Sequence, residues 1–178
     1  MRFVETRFQG CWQIICDSFF DSRGEFRRVF NADEFAAHGM NPVFKEVGMA
    51  RNLRKGTFRG LHYQKWPYAQ DKLVRVTRGC IADVLIDLRP ESETYLQQAI
   101  IWLSDNLASM MYVPKGMAHG YQTLTNDAEV EYHMTEVHVP EAACGIRYND
   151  PLFRIHLPLP VAAVLPRDMD YPDYAGNN

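Results

Sequence analysis

The chain has 178 residues, 47% hydrophobic and 23% charged, which are the proportions of an ordinary globular domain at a length that suits one core rather than two. That composition excludes disordered, collagen-like and low-complexity chains. Nineteen basic against 22 acidic residues give a net charge of −3 with no long run of either sign, which argues against diffuse attraction to nucleic acid.

The opening M-R-F-V-E-T-R-F is charged where a secretory signal is apolar, and no run approaches the roughly 18 apolar residues of a membrane span. The expected location is the cytosol, with no membrane partner. The four cysteines lack paired C-x-x-C spacing and are read as reduced packing residues. Along the chain, N-A-D-E-F-A-A-H-G (31–39) reads as a short helix, with Asn31 as its cap, Glu34 three residues on and Gly39 as its stop. Short β-rich runs follow at 43–50 and 57–64. Residues 72–88, K-L-V-R-V-T-R-G-C-I-A-D-V-L-I-D-L, alternate on both sides of Arg78-Gly79 and predict a β-hairpin. Further strands are expected at 97–103, 110–113, 120–124 and 129–139. Many short strands at close spacing imply an antiparallel sandwich or barrel. After about residue 150 the proline-rich L-P-L-P-V-A-A-V-L-P-R-D disfavours sheet and predicts a tail wrapping a single barrel domain.

Polar residues concentrate at Arg59, His62, Gln64, Gln70 and Lys72. A period of two places Leu61 and Tyr63 on one face and His62 and Gln64 on the other. Arg59 and His62 have opposite parity, so they share a face only if Gly60 marks a bulge. A second cluster, V-P-K-G-M-A-H-G-Y, sets a turn at Pro114 and Gly116 before the strand carrying His119. Its P-x-G-x-x-H spacing resembles that of cupin barrels. Metal-binding cupins supply an H-x-H and a Glu as further ligands; here the counterpart is His62-Tyr63-Gln64, which leaves that set short. The remaining toolkit is a histidine base, a tyrosine acid and fixed cations, the groups needed to remove a proton beside a carbonyl and return one to the other face.

Six ordered motifs then make the resemblance specific: D-S-R-G-E-F (21–26), F-R-G-L-H-Y-Q (58–64), Q-D-K-L-V (70–74), D-V-L-I-D-L-R (83–89), P-K-G-M-A-H-G (114–120) and Y-N-D-P (148–151). Over nearly its full length the chain resembles the dTDP-4-dehydrorhamnose 3,5-epimerase family of sugar-nucleotide cupins, enzymes of deoxysugar and polysaccharide biosynthesis. The resemblance implies an all-β jelly-roll barrel that epimerises a nucleotide-linked 4-keto-6-deoxyhexose at C3, C5 or both through an enolate, without metal or redox cofactor. It implies His62 as base, Asp168 as the carboxylate orienting it, Lys72 as the cation at the C4 oxygen and Tyr132 as the returning acid. Neighbouring Asp170 leaves the register of the carboxylate open.

Arg23, Phe26, Arg59, Gln70, His119 and His138 are implied to bind substrate, Arg23 at the diphosphate, which an arginine fork fits. A homodimer exchanging N-terminal strands, with Arg23 completing the partner's pocket, is also implied. The chain departs from the family pattern at Arg28, Val47, Met49 and His138, around the nucleotide base, so a base other than thymine or an unusual sugar is expected to be admissible. The rival readings are an epimerase acting at one centre, a ketoisomerase, a carbohydrate-binding cupin without catalysis, and a metal-dependent cupin.

Overall fold

Short alternating segments, each too brief to bury a core alone, assemble in the computed structural model into two antiparallel sheets packed face to face. The structure describes residues 1–176. Its strands are β1 (Arg2–Glu5), β2 (Trp12–Ile15), β3 (Ser18–Asp21), β4 (Gly24–Arg27), β5 (Glu46–Asn52), β6 (Phe58–Gln64), β7 (Lys72–Arg78), β8 (Cys80–Asp87), β9 (Gln98–Ser104), β10 (Ser109–Val113), β11 (Met117–Thr123), β12 (Ala128–Met134) and β13 (Ala143–Gly145), with α1 (Ala32–Ala37) and α2 (Pro166–Met169). One sheet runs β1-β2-β10-β7-β12-β5, the other β13-β6-β11-β8-β9, and β3 with β4 forms a separate hairpin. The all-β, double-sheet expectation holds. Among the described residues no helix is long and apolar enough to cross a membrane.

Between the sheets lies a core that includes Val74, Val76, Ile81, Leu85, Leu103, Met111, Tyr121 and Val130. The outer face of the five-stranded sheet presents Phe58, Leu61, Val84 and Ile86, and residues of the tail, Phe153, Ile155, Leu157, Val161 and Val164, pack over it. Helix α1 seats Phe35 on the other sheet's outer face with Ile14, Met110 and Tyr112. Asn31 caps α1, accepting the Glu34 N–H at 2.9 Å; the Glu34 side chain pairs with Arg28 instead of returning to the cap.

The run 72–88 is not a hairpin. β7 pairs with β10 and β12 in one sheet, and β8 with β11 and β9 in the other, so the chain crosses between sheets at Gly79. The backbone there is fixed by distant loops: the Gly79 N–H donates to Asp105 at 3.0 Å and the Cys80 N–H to Thr125 at 3.0 Å. Alternation tells which residues face inward but not which strand lies alongside, and Gly79, with φ +79°, serves a corner as well as a hairpin turn. The four N-terminal strands and one-turn α2 have too little pattern to be legible beforehand.

Candidate active site

The strands bearing His62 and His119 are drawn together by two glycines. A Cβ on Gly60 would stand 2.6 Å from Gly120 Cα, and one on Gly120 would stand 2.6 Å from the Arg59 carbonyl oxygen. Gly60 adopts φ +117°, and the register between β6 and β11 shifts here, pairing His119 with His62 and Tyr121 with Arg59. This is the bulge that parity required, and it turns Arg59 and His62 to one face.

That face lines a cavity of about 510 Å³ between the sheets. Of the residues singled out from sequence, Arg59, His62, Gln70, Lys72, His119, Tyr132, His138 and Asp168 all border it. His62 sits on the five-stranded sheet and Tyr132 on the six-stranded one, so imidazole and phenol approach the space from opposite walls.

His62 Nε2 lies 2.9 Å from Asp168 Oδ1, and the other carboxylate oxygen accepts the Gly60 N–H at 3.4 Å. A carboxylate only accepts, so Nε2 carries the hydrogen, and in the neutral ring Nδ1 is the nitrogen with the lone pair. Burial pushes the Asp168 carboxyl up, but the hydrogen bond and charge of His62, the Gly60 N–H and the Arg167 charge together outweigh this and hold it below the usual carboxylate value. Asp168 is buried and Asp170 exposed, so the former supplies the carboxylate.

Lys72 Nζ donates to the His62 carbonyl at 3.2 Å. Burial pushes its pKa down to about 8, against the opposing pull of Asp83. Asp83 is fully buried; its Oδ1 lies 2.7 Å from His119 Nε2 and its Oδ2 has no hydrogen-bond partner. His119 therefore also donates through Nε2. Asp83 went unnoticed in the sequence as a functional residue, although a carboxylate at an inward position of the apolar strand D-V-L-I-D-L was a usable signal.

Burial among aromatic neighbours pushes the Tyr132 phenol well above its ordinary value, so it holds its proton. Its ring stands 6.3 Å from those of His119 and Tyr121. Asn52, also missed, accepts from Arg59 Nε at 2.7 Å and donates to the Tyr121 hydroxyl at 3.2 Å, which fixes the guanidinium at the wall. At the mouth, Gln64 bonds the Tyr68 and Val137 carbonyls and the Val139 N–H, securing the loop that carries His138, while Gln70 donates to the Glu136 carbonyl. Cys144 also borders the cavity; all four cysteines are free thiols. Among the described residues no three His, Cys, Asp or Glu side chains form a group able to hold a metal ion.

Arg23 and Phe26 do not join this group within one chain. They lie on the β3–β4 hairpin, where Arg23 pairs with Asp21 and Phe26 is 67% exposed.

Comparison with known proteins gives the family. The family model described as dTDP-4-dehydrorhamnose 3,5-epimerase matches residues 5–175. The chain belongs to this epimerase family. The Escherichia coli K12 dTDP-4-dehydrorhamnose 3,5-epimerase is 39% identical over 170 residues, spanning 94% of this chain and 91% of the relative. The crystal structure of the Elizabethkingia anophelis enzyme superimposes with a TM-score of 0.93 at 32% identity, covering 98% of this chain and 96% of that one. A Legionella pneumophila 3,5-epimerase in complex with dTDP-4-keto-L-rhamnose superimposes with a TM-score of 0.89, also at 32% identity, covering 96% and 90%. The double-sheet barrel is thus the cupin-type fold of these carbohydrate epimerases.

Proposed function

We propose that the chain epimerises a nucleoside-diphosphate-linked 4-keto-6-deoxyhexose at C3 and C5. The observation that carries this reading is the placement of a carboxylate-oriented His62 and a protonated Tyr132 on opposite walls of one cavity, with Lys72 between sheets. C3 and C5 flank the C4 ketone, so a proton lost from either leaves an enolate whose negative charge sits on O4. His62 Nδ1 takes the proton, Lys72 stabilises O4 as charge develops, and Tyr132 returns a proton to the other face. Imidazole alone is too weak a base for carbon, so the cation lowers the barrier at the step that needs it. Arg59, His119, Gln70 and His138 hold the sugar nucleotide.

We further propose a homodimer in which the β3–β4 hairpin reaches the partner's cavity. Phe19, Phe20 and Phe26 are more than 60% exposed, and β5 is an edge strand that exposes Val47 and Met49, a combination that invites a second copy. Incubation with dTDP-, UDP-, CDP- and GDP-linked 4-keto-6-deoxyglucose in deuterated water tests substrate and outcome together. The reading expects deuterium at both C3 and C5 for at least one nucleotide; deuterium at one centre marks a single-site epimerase, and binding without exchange marks a non-catalytic module.

A further inference from the structure

Asp168 sits on a helix of four residues whose cap, Leu165, gives no side-chain bond. One turn has no stability of its own, so its position comes from contacts outside it. Pro166, Arg167 and Asp170 are exposed and supply little. Ahead of the turn, Ala163 bridges to Thr57 and accepts the Phe58 N–H at 2.8 Å; after it, Tyr171 makes the contact that lies beside His62. The Tyr171 ring covers Gly145 so closely that a Cβ there would stand 2.1 Å from Cε2, 2.4 Å from Cζ and 2.7 Å from Cδ2. Gly145 has no positive φ, so its backbone tolerates a side chain, and the nearest atoms that one would meet are those of the ring. Gly145 is also the β13 residue paired with His62 on β6, and the Tyr171 ring meets the imidazole edge-on at 6.4 Å and 68°.

We propose that the ring of Tyr171, seated on Gly145, is the latch that fixes α2 so that Asp168 meets His62, which makes both positioning residues for the base. This rests on the reading of His62 as the base oriented by Asp168. Beyond the latch, Asp173 pairs with Arg147 and the Tyr174 N–H donates to Asp150 at 2.8 Å, so the tail stays docked when the latch is removed. Loss of the latch then displaces the carboxylate without releasing the chain.

The test measures kcat and KM for Tyr171→Ala, Gly145→Ala and Tyr171→Phe, each alone and with Asp168→Asn. Both alanine variants are expected to lose about 10- to 100-fold in kcat, the scale of a misplaced catalytic group, with KM within about twofold. Tyr171→Phe keeps the ring and is expected to stay within about threefold of wild type. Combined with Asp168→Asn, the alanine variants are expected to add no further loss, because they act through that carboxylate. A rise in KM at constant kcat, wild-type kcat in both alanine variants, or losses that multiply with Asp168→Asn overturn the latch. Wild-type kcat in Asp168→Asn alone overturns the base–carboxylate reading itself. Tyr171→Leu replaces Tyr171→Ala if the latter does not fold.

Discussion

Gly60 and Gly120 touch backbone to backbone across β6 and β11, and that contact sets His62 directly opposite His119. Neither glycine has room for a methyl group, because the colliding atoms are main chain. Gly120→Ala is therefore expected to cost about 3 kcal/mol or more, lowering Tm by roughly 10 °C for a chain of this size. Calorimetry checks this, and a Tm within a degree or two of wild type contradicts the close approach.

Lys72 is needed as a cation, and its pKa of about 8 places its titration within reach of ordinary assay conditions. It carries its proton below that value and loses it above, so kcat is expected to fall as pH rises through about 8. Lys72→Met removes the cation and is expected to lower kcat about 10²- to 10³-fold. Lys72→Arg retains charge at all assay pH values, so whatever activity it keeps should show no decline near pH 8. A pH–rate profile of the three proteins measures this.

Asp83 holds charge against Lys72 from within the core. Its attraction raises the lysine pKa, so Asp83→Asn is expected to shift the basic limb of the profile to lower pH. The amide oxygen still accepts from His119, which separates the loss of charge from the loss of a hydrogen bond. An unmoved basic limb contradicts the electrostatic role.

The β3–β4 hairpin carries Arg23 away from its own cavity, and the proposed dimer gives it a target. Arg23→Ala is expected to raise KM about tenfold while kcat holds. Co-expression of Arg23→Ala with His62→Asn distinguishes cis from trans action. If Arg23 serves the partner, each mixed dimer contains one intact site and wild-type KM reappears; if it serves its own chain, no intact site forms.

Much of the site was legible because its chemistry sits in contiguous motifs on regular strands. F-R-G-L-H-Y-Q fixed which residues alternate, and Gly60 flagged the bulge that unites Arg59 with His62. Asp168 was harder: its one-turn helix has no periodicity, and what separates it from Asp170 is burial and the contact with His62, neither of which a local pattern carries. Asp83 and Asn52 act on other side chains; an inward carboxylate in an apolar strand marks the first, while no local spacing marks Asn52. The 72–88 run misled because strand pairing is a long-range property: β7 finds its neighbours at β10 and β12, dozens of residues onward. Arg23 and Phe26 lie on a hairpin outside the chain's own cavity lining, and a motif names a residue's type but not the cavity it serves.

The most direct test is hydrogen exchange at the sugar carbons in deuterated water by the His62→Asn variant, followed by NMR on the accepted 4-keto sugar nucleotide. Asparagine retains a donor toward Asp168 but has no basic nitrogen, so exchange at C3 and C5 is expected to fall at least about 10³-fold while substrate binding persists. Exchange at the wild-type rate in that variant contradicts His62 as the base.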